Sequence, residues 1–314
     1  MSFSSFKKDK LIFENWRGFV AEQEEEDPEA GGTAGGITTS DAYTMSLPQF
    51  ASALQSNRKD FIAAVLNGLK DGKAEDDVLN IEPATVNVVD LRPTQSEVVF
   101  DKSIKFALQK PDVFMDYFTS NGPHKVGPKD NNAIITLNKK FILDGHHRWS
   151  SLYCVNPKAA MHTFDIKANI NPINVLKLMQ ASITAHAGKI MSAAGGGINL
   201  FTIDEKTLTN EVRKLLTGDL LRQYKQLGLF EADPDATGQG MFKILLSIYQ
   251  RNVGLMQKNN RPAKNAGTRE TMPQTDLDGA IPVVAGSATP ATLTPLEKGK
   301  VDFRGPHAVK KAAR

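Results

Sequence analysis

The sequence predicts an α/β protein (α+β in its connectivity): a small mixed sheet with helical extensions before and after it in the chain. Three observations predict this class. Short β-rich runs at 86–91, 133–137, 141–143 and 161–166 are bounded by turn residues. Helical periodicities lie between these runs and after them. At 141–154 an apolar strand passes through Asp144-Gly145 directly into a helix pattern.

The elements follow in chain order. Residues 10–22 read as a short amphipathic unit, with Leu11, Ile12, Trp16, Phe19 and Val20 near helical spacing. So short a helix is marginal alone and must dock on something. The acidic and Gly-rich stretch after it closes a segment 1–43 that reads as docking helix and flexible linker. Residues 44–80 form a helical segment: Ser46 is an N-cap with Pro48 in the first turn, and Phe50, Leu54, Phe61, Val65 and Leu69 give an apolar stripe broken near Asn57-Arg58, as one helix or two. Residues 84–170 hold the densest folding signal. A strand at 86–91 ends at Arg92-Pro93, helices are expected over 101–109 and 113–118, and 133–143 reads as a hairpin turning at Asn138-Lys139-Lys140. A helix over 147–154 and a strand over 161–166 complete the unit. Residues 172–257 read as a helical subdomain, with helices at 175–189 and 241–256 and a helical pair capped by Asp204. Residues 258–314, rich in Pro, Gly, Thr and Ala, read as a disordered tail.

Composition bounds the function classes. Thirty-eight basic against 35 acidic residues give a net charge of +3, which does not by itself argue for a nucleic-acid binder. Lys102, Lys105, Lys110, Lys125, Lys129, Lys139 and Lys140 leave a local basic surface open against an ordinary solvated face. One cysteine, Cys154, excludes an internal disulfide and suggests a reducing compartment. No run approaches the ~18 apolar residues of a membrane span, and the first residues lack a secretory apolar stretch, so a cytoplasmic protein is expected.

The chemistry concentrates at Asp144-Gly145-His146-His147-Arg148-Trp149. A helix N-terminus presents unpaired amides and partial positive charge. Gly145 lets the backbone approach a ligand, Arg148 adds a fixed fork for phosphate oxygens, and His147 a tunable donor. Asp144 either caps the helix or holds a hydroxyl or a metal ion. The plainer alternative is an ordinary Asp-Gly turn followed by surface charge. Adjacent His146 and His147 diverge on a helix, so no two-histidine metal site is expected. The run 194–198 lacks the Lys-Ser/Thr of a phosphate loop and reads as a hinge. Residues 269–277 (Arg-Glu-Thr-Met-Pro-Gln-Thr-Asp-Leu) stand out within the tail, either as a short binding motif or as plain linker.

Strand, Asp-Gly-His-His-Arg, helix resembles the ParB/sulfiredoxin-like superfamily, whose members carry Gly-x-x-Arg at this place; the His-His form is similar to its ParB-like nuclease subgroup. Asp90-Leu91-Arg92-Pro93-Thr94-Gln95-Ser96-Glu97-Val98 resembles the family's first strand and Pro-x-Gln turn. The resemblance covers about 85–170 and implies a ParB/sulfiredoxin-like core. It implies nucleotide or phosphate binding by Gly145, His146, His147 and Arg148, with Thr94, Gln95 and Ser96 beside the same pocket. A nucleoside tri- or diphosphate with Mg²⁺ is the implied cofactor. Catalytic candidates are Glu97, Asp144 and His147, as base or metal ligand in phosphoryl transfer or hydrolysis. The position of the sulfiredoxin nucleophile holds His146, so sulfinic acid reductase activity is not expected. No helix-turn-helix follows the domain, which argues against centromere binding. The run Leu11-Ile12-Phe13-Glu14-Asn15-Trp16-Arg17-Gly18-Phe19-Val20 is similar to openings of tailed-bacteriophage proteins, which implies a phage protein in host cytoplasm or virion. Two function classes result: a Mg-dependent nucleotide hydrolase, kinase or nuclease, and a non-catalytic adaptor or phage structural protein. The adaptor would bind nucleotide or DNA and recruit a protein partner through 10–22 and the tail.

Overall fold

Successive apolar residues of the central strands point to opposite faces of a sheet, and here both faces are covered. A computed structural model describes residues 44–56, 59–66, 77–119, 123–124, 133–188, 195–229, 238–273 and 290–302. In chain order the elements are α1 (Leu47–Gln55), α2 (Lys59–Val65), β1 (Asn80–Asn87), β2 (Arg92–Pro93), α3 (Ile104–Leu108), α4 (Pro111–Thr119), β3 (Pro123–His124) and β4 (Ile134–Leu137). There follow β5 (Phe141–Asp144), α5 (His146–Val155), β6 (Ala160–Lys167), α6 (Pro172–Ala187), α7 (Glu205–Leu215), α8 (Gly218–Gln226), α9 (Gly238–Asn259) and α10 (Thr294–Glu297). The fold is α/β, as expected. The segment 10–22 lies outside the described residues, as do 274–289 and 303–314.

The sheet is mixed. Its order is β1-β6-β4-β5-β2, with β3 also beside β6. Pairs β1/β6 and β4/β5 are antiparallel; β4/β6, β2/β5 and β3/β6 are parallel. Ile134, Ile142 and Met161 enter one core with Trp149, Leu152, Tyr153, Val212 and Tyr249. Ile135, Leu137, Leu143 and Ile166 enter the other with Phe50, Phe61, Leu176, Met179 and Leu296. Adjacent residues thus serve different cores, which explains the unbroken burial of β4. The hairpin turns at Asn138 and Lys139, both at positive φ (52° and 55°), the geometry whose twist matches the flanking strands.

The first helices form as two, not one. Ser46 caps α1 in a capping box with Gln49, and the Phe50 and Phe61 rings meet edge to face with centroids 5.3 Å apart. The first strand, in contrast, lies earlier than 86–91. It pairs with β6 from Asn80↔Lys167 to Asn87↔Ala160. Where β6 runs out, the chain bends into a 3₁₀ turn at Val88–Asp90. Trp149 Nε1–H donates to Val88 O (2.8 Å) and fixes that bend. Pro83 sits within β1, which an edge strand tolerates.

Residues 172–257, read as a helical subdomain, pack their helices on the sheet. Leu208, Val212, Tyr224, Tyr249 and Val253 pack with Trp149 and Leu152. The link is polar as well as apolar. Asn252 of α9 is fully buried, and its Nδ2 donates to Cys154 O (2.8 Å) and Val155 O (3.0 Å), satisfying the end of α5. Asn260 accepts from Tyr153 Oη (2.8 Å) and donates to Val89 O and Leu91 O. Cys154 is buried, and burial pushes its thiol pKa up.

The expected tail is also corrected in part. Residues 263–269 run along the 93–97 segment, and 290–302 carry Leu293, Leu296 and Val301 into the second core. These few apolar side chains, spaced among Pro, Thr and Gly, give no readable period but suffice to dock an irregular segment. Among the described residues no helix is long and apolar enough to cross a membrane.

Replacing Asn252 by Leu keeps the branched shape but strands two buried carbonyls. The expected loss is about 2–4 kcal/mol of stability, read as a lower denaturant midpoint at unchanged slope. An unchanged midpoint would show that α9 does not hold α5 in this way.

Candidate functional site

Strand β5 passes into α5 through a single residue. Gly145 sits at φ 89°, ψ 23°, in the left-handed region, as the N-cap of α5. A Cβ there would collide with Ile134 Cγ2 and lie 2.9 Å from Ile134 Cβ, so both backbone angle and space demand glycine. The cap has no side-chain bond to the first turn, so the leading amides of α5 keep donor capacity toward an anion. Asp144 does not cap: its Oδ1 accepts from the N–H of Gly145 (2.6 Å).

The helix itself is buried for eight of its ten residues despite its polar sequence. The Ser103 and Ser150 hydroxyls share a bond of 2.7 Å, and Ser151 Oγ donates to His147 O (2.7 Å). Arg148 is half-buried. Its Nη1 is shielded from water and has no hydrogen-bond partner among the described residues, and a Cβ on Gly145 would stand 3.3 Å from its Nε. A guanidinium nitrogen held in this way is costly unless an acceptor joins it.

The two motifs separated in sequence by about fifty residues meet here. Parallel pairing of β2 with β5 brings Pro93 opposite Ile142. Thr94 is fully buried; its N–H donates to His146 Nε2 (3.1 Å) and its hydroxyl to Ile142 O (2.6 Å). The N–H of Val99 donates to His147 Nε2 (3.1 Å). Gln95 is buried and its amide donates to Glu97 O. Ser96 Oγ donates to Gly267 O (3.1 Å), and Glu97 Oε1 accepts from the N–H of Arg269 (3.1 Å).

Both imidazoles are neutral at ordinary pH. Burial pushes His146 down to about 4, against the opposing pull of Asp144. Burial, with the positive charges of Arg269 and Lys102, pushes His147 further, to about 2. Each ring accepts a backbone N–H on Nε2. With Nε2 accepting from Val99, the neutral His147 ring carries its one N–H on Nδ1 and brings no positive charge to a phosphate.

Sequence reasoning missed two neighbours of the turn. Residues 263–271 lie on 93–97 through Ala263 N–H to Pro93 O (2.8 Å), Gly267 N–H to Thr94 O (2.9 Å) and Ser96 N–H to Gly267 O (2.8 Å). This brings Arg269 Nη1 to within 2.9 Å of His147 Nδ1 and 3.2 Å of its Nε2. The 269–277 motif carried that signal, and its residues 274–277 lie outside the described ones. Second, Asn199 bridges Val99, accepting from Val98 N–H and donating to Ser96 O. Gly197, at φ 119°, is needed because a Cβ would collide with Val99 Cγ1. The Gly-rich run is therefore a bridging segment whose glycine admits Val99.

Lys102 acts on His147, while Lys139 and Lys140 stand at the far end of β5 from Asp144. Lys105 pairs with Asp101 at 3.4 Å. Lys125 and Lys129 lie outside the described residues. No cluster of three or more metal-ligating side chains occurs among the described residues. In comparisons with protein-family models, curated proteins and solved structures, nothing matches the chain.

Two outcomes follow. Gly145→Ala introduces both a left-handed non-glycine and a clash with Ile134, and is expected to cost about 2–4 kcal/mol, measured by chemical unfolding; a neutral effect would refute the close approach. For pH, the folded-state pKa of His146 lies below its unfolded value of about 6.5. The unfolded chain therefore binds more protons between pH 6.5 and 4, and stability falls as pH drops through that window. The loss is on the order of 3 kcal/mol for this residue. His146→Gln should flatten the slope; an unchanged slope would contradict a buried neutral His146.

Proposed function

We propose that the protein is a phosphate-recognising binding module, with a nucleotide as the ligand and the α5 N-terminus as the site. The observation that carries this reading is the Arg148 guanidinium beside Gly145, whose Nη1 is out of water and without a partner among the described residues. A phosphate oxygen would supply the missing acceptor, and a charge-assisted fork to phosphate is the strongest bond this geometry offers. The uncapped amides of α5 add donors directed at the same charge. The resemblance of Gly145-His146-His147-Arg148 and of Thr94-Gln95-Ser96-Glu97 to the ParB/sulfiredoxin-like superfamily points the same way.

The binding reading is favoured over a hydrolase, kinase or nuclease by what the catalytic candidates do. The Nε2 of His147 accepts from Val99, Asp144 Oδ1 accepts from Gly145, and Glu97 Oε1 accepts from Arg269. All three hold backbone in place, which accounts for these side chains without a catalytic step, and the second oxygen of each carboxylate stays the acceptor that a general base would use. Mg²⁺, where it takes part, would arrive on the phosphates of the nucleotide, as this ion keeps several waters and few protein ligands.

Calorimetric titration with ATP, ADP, CTP and GTP, with Mg²⁺, tests the reading. Saturable binding of at least one nucleotide is expected, weakened about 10- to 100-fold in Arg148→Ala, as for loss of a charged hydrogen bond. Binding of none by the native protein, or equal binding by the variant, would overturn it.

A further inference from the structure

We propose that the outer face of α9 is the docking site of residues 10–22 of this chain. The proposal is independent of the phosphate reading. It rests on a stripe along α9, the groove beside it, and the charge and reach of the N-terminal segment.

Helix α9 turns one side into the first core through Met241, Leu245, Tyr249, Val253 and Met256. Its opposite side is not the uniformly polar surface that an amphipathic helix turns to water. At 100° per residue, Ile244, Ile248, Arg251, Leu255 and Lys258 fall within an arc of about 80°. Ile244 is 40% exposed, and Ile248 and Leu255 are partly exposed. Ser247 and Gly254, both exposed, flank this stripe. Glycine in a helix interior is unfavourable relative to alanine. A Cβ on Gly254 would meet nothing within 4 Å, so no neighbour in the fold requires a glycine there. Gly254 leaves the backbone of α9 bare at the edge of the groove between α7 and α9, about 360 Å³ in volume, with Ile203, Leu208 and Val253 in its lining. A second helix laid along α9 approaches closely over such a residue.

Residues 10–22 match this face in length, pattern and charge. Thirteen helical residues are about 20 Å long, and Ile244 to Lys258 spans about 21 Å. Ile12, Trp16, Phe19 and Val20 recur at helical spacing and supply one apolar side. Helix α9 carries Lys243, Arg251 and Lys258 and no acidic residue, whereas Glu22, Glu24, Glu25, Glu26 and Asp27 close the segment and follow it. Complementary charge sets the direction: the segment runs parallel to α9, with its acidic end at Lys258.

The reach of the chain agrees with that direction. Gly267 is eight residues beyond Asn259, the end of α9, and so lies within about 29 Å of it. A Cβ on Gly267 would stand 2.7 Å from Leu47 Cδ2, which places the start of α1 beside it. A coil of 21 residues, the length of 23–43, spans about 25 Å on average and about 70 Å at most. The chain can therefore leave the Lys258 end of α9 and reach α1.

The sequence supplies its own probe, because its two tryptophans are Trp16 and Trp149, and Trp149 is fully buried. The test is acrylamide quenching of fluorescence in the full chain, with Trp16→Phe used to subtract Trp149. In fractions that light scattering shows to be monomeric, Trp16 should be quenched about threefold less than in a synthetic peptide of residues 1–43. Two variants address the face: Gly254→Leu fills the bare backbone, and Arg251→Glu with Lys258→Glu reverses charge at exposed positions. Far-UV circular dichroism confirms that each still folds. Return of Trp16 to the quenching of the peptide in either variant places the segment on this face. Shielding kept in both would place the segment elsewhere and overturn the proposal. Trp16 as accessible in the native chain as in the peptide would overturn it as well. Shielding confined to dimeric fractions would give the face to a second copy of the chain, and this too would overturn it.

Discussion

The close approach of Gly145 to Ile134 is the constraint on which the rest of the structure depends. It lets β5 turn into α5 within one residue, so the helix starts at the sheet rather than beyond a loop. A larger residue would push the helix start outward and separate Arg148 from the turn. Because α5 is then enclosed, its polar residues must find partners inside the protein. Serine hydroxyls, the Trp149 indole and the Asn252 amide meet that demand. Arg148 is the member of this helix whose demand stays unmet, and the functional reading grows from that exception.

The same enclosure shapes the histidines. Thr94 and Val99 each place a backbone N–H against an imidazole nitrogen, and burial keeps both rings neutral. The pair therefore locks the β2 turn to the start of α5. Histidines that hold two segments in register are useful around an anion site, since they fix donors without adding charge that would bring counter-anions of their own. Recognition is then left to the Arg148 guanidinium and the helix amides.

Much of this was legible in the sequence, for identifiable reasons. Asp-Gly between an apolar strand and a helical period marked the turn, and Ser46, Asp204 and the Asn138-Lys139 pair marked caps and a hairpin that the structure contains. The early turn at 94–97 was expected beside the Asp-Gly turn by resemblance, and parallel pairing of β2 with β5 brings Thr94 against His146. Other features were not legible. The first strand was read at 86–91 because Val-rich composition is strongest there, but its extent is set by the length of β6, a partner eighty residues away. The roles of Asn252, Asn260 and Gly267 depend on long-range contacts that leave no local period. Arg269 lay in a patch that looked specific within an irregular segment, and only the pairing of 263–267 with 93–96 reveals what it faces.

The account stands on where an anion binds, so the most direct measurement is a crystal structure of the protein grown with ADP and Mg²⁺. The account predicts density for a phosphate group against the leading amides of α5, with Arg148 Nη1 on its oxygens and His147 still accepting from Val99. A nucleotide seated instead in the groove between α7 and α9, lined by Glu205, Gln250 and Arg251, with Arg148 unmoved and unpartnered, would contradict it.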